Sequence, residues 1–189
     1  MARLNMPAEG EMTPEQRRAC DEVVAGKRGK IPAPMIAWLR NPELARRAQS
    51  LGELLRYDTS LPSALAELAI IVCARHWSAH VQWRAHSEYA RAAGVDPAVI
   101  AAIAARRTPD FEDEAQRTVY EVSTVLLQRA RVPAALYARA VEALGEAGLV
   151  ELVVLLGYYC IASFTLNTFE LGLPEAAVSE LGDPDYPSG

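Results

Sequence analysis

Outside the stretch from His76 to His86 the chain contains no histidine, and two of its three tryptophans, Trp77 and Trp83, lie in that same stretch. Proton transfer by histidine near neutral pH is therefore confined to it. Cysteine is as scarce. Cys20, Cys73 and Cys160 are odd in number and far apart. They have no zinc or redox spacing, which argues against a disulfide framework and points to a reducing, cytoplasmic setting. No long basic run is present and the net charge is −5, so nucleic acid is not an expected partner. The opening residues, Met1 to Met12, include Pro7 and lack the apolar stretch of a signal peptide; they read as a loose arm. Leu152 to Leu166 carries no charge, but it is shorter than the roughly 20 residues that span a bilayer. It also contains Gly157, Tyr158, Tyr159, Ser163 and Thr165. It reads as a helix buried in a soluble core or a subunit interface, not as a membrane span.

What is present favours helix. The 189 residues, 51% of them hydrophobic, suit one globular domain with a sizeable core. Alanine, leucine, glutamate and arginine dominate, and prolines and glycines recur at helix-length intervals. Thr13-Pro14-Glu15-Gln16 predicts an N-cap with proline at the first helical position, the helix fading by Gly26. Ile31 to Pro34 reads as a connector. Asn41-Pro42 predicts a second helix to about Arg56, and Leu61-Pro62-Ser63 a third, with Leu65, Leu68, Ala69, Val72 and Cys73 at helical spacing. Further helices are expected over Ala79–Ala93, from Asp96-Pro97 to about Arg106, over Asp110–Ala130, from Val132-Pro133 to near Gly148, and over Leu149–Leu171. The fold class is all-α, a single-domain helical bundle. An arm (1–12) precedes a helical domain (13–175), and a tail (176–189) follows it, expected to be disordered from Gly182.

The histidine stretch admits two geometries. On one continuous helix His76 and His80 would share a face and, with Glu67 or His86, could hold a metal. No glutamate follows His76 directly, however, and Ser78 suggests a break that separates the pair, so no metal is expected. If a helix instead starts near Ser78, then Ala79, Gln82 and His86 share a face, with Trp83 beside them. Its first turn leaves free N–H groups at the positive end of the helix dipole. His86, one turn further in, is placed to act as a general acid or base. Glu67 stands in an apolar helix, where burial would raise its pKa and let it pass protons. It could equally be a structural group, salt-bridged to Arg75 or Arg84. His76 reads as structural and His86 as functional.

Several segments together resemble the carboxymuconolactone decarboxylase family, whose superfamily also holds the alkyl hydroperoxidase D proteins. They are Leu61 to Ile70, Ala74-Arg75-His76-Trp77, Val81 to His86 and Ala90 to Val95, with Gly157-Tyr158-Tyr159, Asn167 and Leu173-Pro174 further on. The resemblance spans roughly residues 35 to 175. It implies an all-α fold, homo-oligomers (dimer, trimer or hexamer) with sites near subunit contacts, and cofactor-independent chemistry of aromatic degradation. It matches Glu67 to a proton-relay glutamate and His86 to the histidine that ends the site motif. Ala79 and Gln82 fall where the peroxidase branch has cysteines. Alanine and glutamine supply no thiolate, and Cys73 has no cysteine near it in sequence, so thiol peroxidase activity is not expected.

The resemblance thus implies a carbon–carbon lyase acting on a carboxylate or lactone. Loss of carbon dioxide leaves electrons that spread into a ring and its carbonyl oxygen. On this reading His86 protonates carbon with Glu67 behind it, and His80 is a second acid–base candidate. Gln82 donates to the developing oxyanion, and Arg75 or Arg84 holds the carboxylate. Trp83, Trp77 and Tyr57 form apolar walls. An isomerase or hydrolase working through an enolate would use the same residues. The rival from another class is a non-catalytic, ligand-binding oligomer whose site has decayed, which glutamine at position 82 in place of a carboxylate favours a little.

Overall fold

The computed structural model describes residues 2–172 and 181–182. Among them the chain forms a 3-10 turn at Glu9–Glu11 and eight α-helices, with no strand. The helices are α1 (Pro14–Ala25), α2 (Met35–Trp38), α3 (Pro42–Tyr57), α4 (Ser63–His76), α5 (His80–Ala92), α6 (Pro97–Ala104), α7 (Glu114–Arg129) and α8 (Ala134–Thr168).

The starts follow local chemistry. Thr13 Oγ1 accepts from the Gln16 N–H at 3.2 Å while the Gln16 side chain accepts from the Thr13 N–H at 2.9 Å, a reciprocal capping box. Asn41, Asp96 and Asp113 cap α3, α6 and α7 through their side chains. Two expectations differ from what is observed. The connector after Pro34 turns at once into the short α2, whose Met35 and Trp38 are buried. The two helices expected either side of Gly148 are one element, Ala134–Thr168, broken instead at Gly145 with φ 70°. Gly148 is helical and packs against Leu144 and Leu61, so it has no reason to end a helix.

Helix α4 is the axis of the bundle. Every residue from Leu65 to Ala74 is buried, so it is enclosed on all sides rather than along one stripe, and all of that run but Glu67 is apolar. Helices α5, α7 and α8 pack around it. By length and composition alone α8 could cross a membrane, but 56% of its most apolar window is buried inside the protein. It serves as a core helix here. Its outer face leaves Val150, Val153, Val154, Ile161 and Phe164 exposed.

The first residues are tied to the end of α8 and to Arg40. The Arg3 N–H donates to Phe169 O at 2.9 Å and its guanidinium to Thr168 O at 3.0 Å. Arg40 holds Asn5 O at 2.9 Å. The two Arg3 bonds satisfy carbonyls at the C-terminal end of α8, which a helix end leaves without intrahelical partners. The predicted tail lies, apart from Leu181 and Gly182, outside the described residues.

Candidate functional site

Two helices deliver the site through the turn between them. At Ser78 the chain takes a left-handed conformation, φ 47°, which an L-residue adopts at a cost. The Ala79 N–H reaches back to Ala74 O at 2.8 Å and closes α4. The Ser78 hydroxyl accepts from Arg75 at 3.3 Å and Arg106 at 3.1 Å. His76 therefore ends α4 and His80 begins α5, and the break expected at Ser78 is observed. His76 stacks edge-on against Trp77, with ring centroids 4.5 Å apart.

From this turn α5 brings His86 to Glu67 of α4. His86 Nδ1 lies 2.6 Å from Glu67 Oε2. Arg56, at the end of α3, donates its Nε–H to Glu67 Oε1 at 3.2 Å. Glu67 is 5% exposed and His86 7%. Burying a carboxylate without partners is prohibitive; here each oxygen has one. Burial, the largest influence on Glu67, pushes its pKa up, but His86 and Arg56 together outweigh it and hold the carboxyl below its ordinary value. This corrects the expected raised pKa, and the partner is Arg56 rather than Arg75 or Arg84. Burial also lowers the pKa of His86, against the pull of Glu67. The consistent state is an ionised Glu67 paired with Arg56 and a neutral His86. In that state Nδ1–H donates to Glu67 and Nε2 keeps a free lone pair.

Aromatic rings enclose this dyad. Tyr159 of α8 meets the His86 ring edge-on at 4.9 Å, and Tyr89 does so at 5.6 Å. The Tyr159 hydroxyl is buried without a hydrogen-bond partner. Burial first, then the Glu67 charge, pushes its pKa well up, so it stays protonated. Towards solvent, the Arg56 guanidinium lies 4.1 Å over the Tyr89 ring and 5.2 Å over that of Tyr57. Lys30 Nζ sits 5.7 Å over Tyr89 and, by hydrogen bonding, lowers the Tyr89 pKa. Tyr57 is 40% exposed. The solvent-facing side of the dyad is thus cationic and aromatic.

Of the other sequence candidates, Gln82 is buried one turn before His86. Its Oε1 accepts from Ser163 Oγ at 3.1 Å, and its Nε2 is buried without a partner. His80 is buried at the start of α5. Trp83 faces α6 and lines a surface groove with Ile100 and Ala104. Trp77 packs edge-on against Phe164 at 4.8 Å. Arg75 donates to Ala104 O at 2.8 Å, and Arg84 is exposed on α5. Tyr57 therefore reaches the dyad through Arg56, whereas Trp77, Trp83 and Arg75 are held by other partners and Arg84 points to the surface. Arg56, Tyr89 and Tyr159 went unremarked as site residues. Tyr89 stands three positions after His86 on the same helix face, a spacing the sequence does display. Arg56 and Tyr159 come from other helices and leave no such local signal.

The cysteines also depart from expectation. Cys73 of α4 and Cys160 of α8 are neighbours in space, with Sγ atoms 3.8 Å apart. The Trp77 indole Nε1–H donates to Cys160 Sγ at 3.3 Å. The hydrogen bond with Cys73, then that of Trp77, lowers the pKa of Cys160 despite burial, while its partner's is raised.

No family model matches the chain, and no curated protein matches it in sequence. Solved structures do match in shape. One is the debrominase Bmp8 without ligand, with a TM-score of 0.70, 14% identity and 92% of each chain covered. Another is a cysteine-to-alanine variant of Bmp8 in complex with 2,3,4-tribromopyrrole, with a TM-score of 0.69, 14% identity and the same coverage. The chain therefore shares the all-helical fold of the debrominase.

Proposed function

We propose that this chain is a cofactor-independent enzyme that moves a proton on a small, unsaturated, anionic ring, in the manner of a decarboxylase acting on a carboxylated lactone. The observation that carries this reading is the buried Glu67–His86 pair at 2.6 Å, flanked on its solvent side by Arg56, Lys30 and two tyrosine rings. A neutral imidazole oriented by a carboxylate is a general base whose conjugate acid the same carboxylate stabilises. His86 accepts a proton from solvent on Nε2 and becomes an imidazolium beside Glu67. It delivers that proton to the carbon that carbon dioxide has left. Arg56 and Lys30 favour an anionic substrate at the approach. The unpartnered Gln82 amide can donate to an oxyanion in the ring. Tyr159 walls the imidazole, and its protonated hydroxyl can donate but not accept the substrate's proton. The tribromopyrrole bound by the debrominase is, like an unsaturated lactone, a flat five-membered ring, which supports a ligand of this size on this fold.

We further propose that a second copy of the chain covers the exposed row Val150, Val153, Val154, Ile161 and Phe164. Five large apolar side chains on one helix face exceed the scattered exposure normal for a monomer.

The enzyme reading is tested by incubating the protein with carboxylated unsaturated lactones in D2O. Release of carbon dioxide with one deuterium at the vacated carbon is the expected result. Saturable binding with neither release nor deuterium incorporation would overturn the enzyme and leave a ligand-binding protein.

A further inference from the structure

The Cys73–Cys160 pair has no part in the proton chemistry above. The two residues stand 87 positions apart in the chain, yet their sulfurs meet where α4 packs on α8. Cys73 is fully buried and Cys160 half-buried. Their surroundings differentiate them. Cys160 receives the Trp77 indole N–H at 3.3 Å and is the less buried of the two. Cys73 lies inside, with Ser163 and Gln82 near its sulfur. One sulfur is thus reachable and stabilised as an anion, and the other is screened and positioned behind it. That is the division between an attacking thiol and a resolving thiol. Cys20, by contrast, is a single thiol on α1, raised by burial.

We propose that Cys73 and Cys160 form a reversible redox site whose oxidant is a small hydroperoxide. The Cys160 thiolate attacks the terminal peroxide oxygen; the O–O bond breaks, and the departing oxygen takes a proton and leaves as alcohol or water. Cys160 is then a sulfenic acid. Cys73 attacks that sulfur and loses its proton, and water leaves as the S–S bond forms. Two thiols and one hydroperoxide give one disulfide, one alcohol and one water, with two electrons passed to the peroxide. A dithiol reductant reverses the cross-link. A disulfide needs its sulfurs at about 2.05 Å, roughly 1.8 Å nearer than they lie in the reduced protein. Closure therefore draws the two sulfurs together beside Tyr159, the residue before Cys160.

The experiment treats the full-length protein with one equivalent of hydrogen peroxide, alkylates residual thiols and maps peptides without reduction. The expected result is a Cys73–Cys160 cross-linked peptide, Cys20 still alkylated, and recovery of both thiols with dithiothreitol. Before oxidation, Cys160 should react with iodoacetamide at pH 7 about tenfold faster than Cys20, as a lowered thiol pKa dictates. In Cys73→Ser the sulfenic acid on Cys160 should persist and be trapped by dimedone. Cys160 oxidised to sulfinic acid while Cys73 stays free would overturn the proposal. So would a cross-link between chains through Cys160, or no loss of thiols at all.

Discussion

Two polar clusters share helices α4 and α5 and are built on opposite principles. At Glu67 the ions are matched: each carboxylate oxygen has one donor, from Arg56 and from His86. Six positions further along α4, about 9 Å by helix rise, the cluster of Cys73, Cys160, Gln82 and Ser163 is built from thiols, an amide and a hydroxyl, with no acid–base ion pair. It leaves the Gln82 amide nitrogen unpartnered. The first cluster is rigid because losing any member strands a buried charge. The second tolerates rearrangement because sulfur and a neutral amide lose little by changing partners.

This contrast can be broken from its strong side first. His86→Ala should lower turnover of a lactone substrate by about 10²–10⁴-fold, the usual worth of a positioned acid–base group, with helical circular dichroism unchanged. An active variant would remove His86 from the mechanism. Glu67→Ala strands the Arg56 guanidinium, and chemical denaturation should show a loss of about 3–5 kcal/mol. Acid titration sharpens the same point. The Glu67 pKa is held below the ordinary carboxyl value by His86 and Arg56, so the group contributes stability above the unfolded carboxyl value. That contribution is lost as pH falls through the lower folded value. Glu67→Gln should therefore flatten stability against pH below about 4.5, the ordinary carboxyl range, and leave the slope near pH 7 alone. The smallest effect belongs to the soft cluster. Removing both partners at once, Gln82→Leu with Ser163→Ala, should change stability by within about 1 kcal/mol; a loss as large as that of Glu67→Ala would erase the distinction between the clusters.

How much of this could be read from the chain follows the range of each interaction. Caps at Thr13, Asn41 and Asp96 and the break at Ser78 are local, so residue type and spacing reveal them. Glu67 and His86 could be paired only by resemblance, since 19 positions separate them and neither announces the other. Arg56 and Tyr159 reach the dyad across helix–helix packing, which periodicity does not encode. The error on the Glu67 pKa has the same origin. Burial was legible from the apolar helix around it, while the compensating cation was not. Cys73 and Cys160 illustrate the limit most plainly, because spacing along the chain says nothing about two thiols facing each other from different helices.

The turn at Ser78 has a consequence for how this bundle can vary. Helices α4 and α5 fold back on one another there, so the number of residues on each side of Ser78 fixes which side chains face each other. One residue inserted between Ser78 and His86 would rotate His86 by about 100° around α5. The imidazole would leave Glu67 although every residue of the dyad was still present. Length tolerance in this segment is therefore close to zero, while the loops before α3 and after α6 carry no such constraint on the dyad.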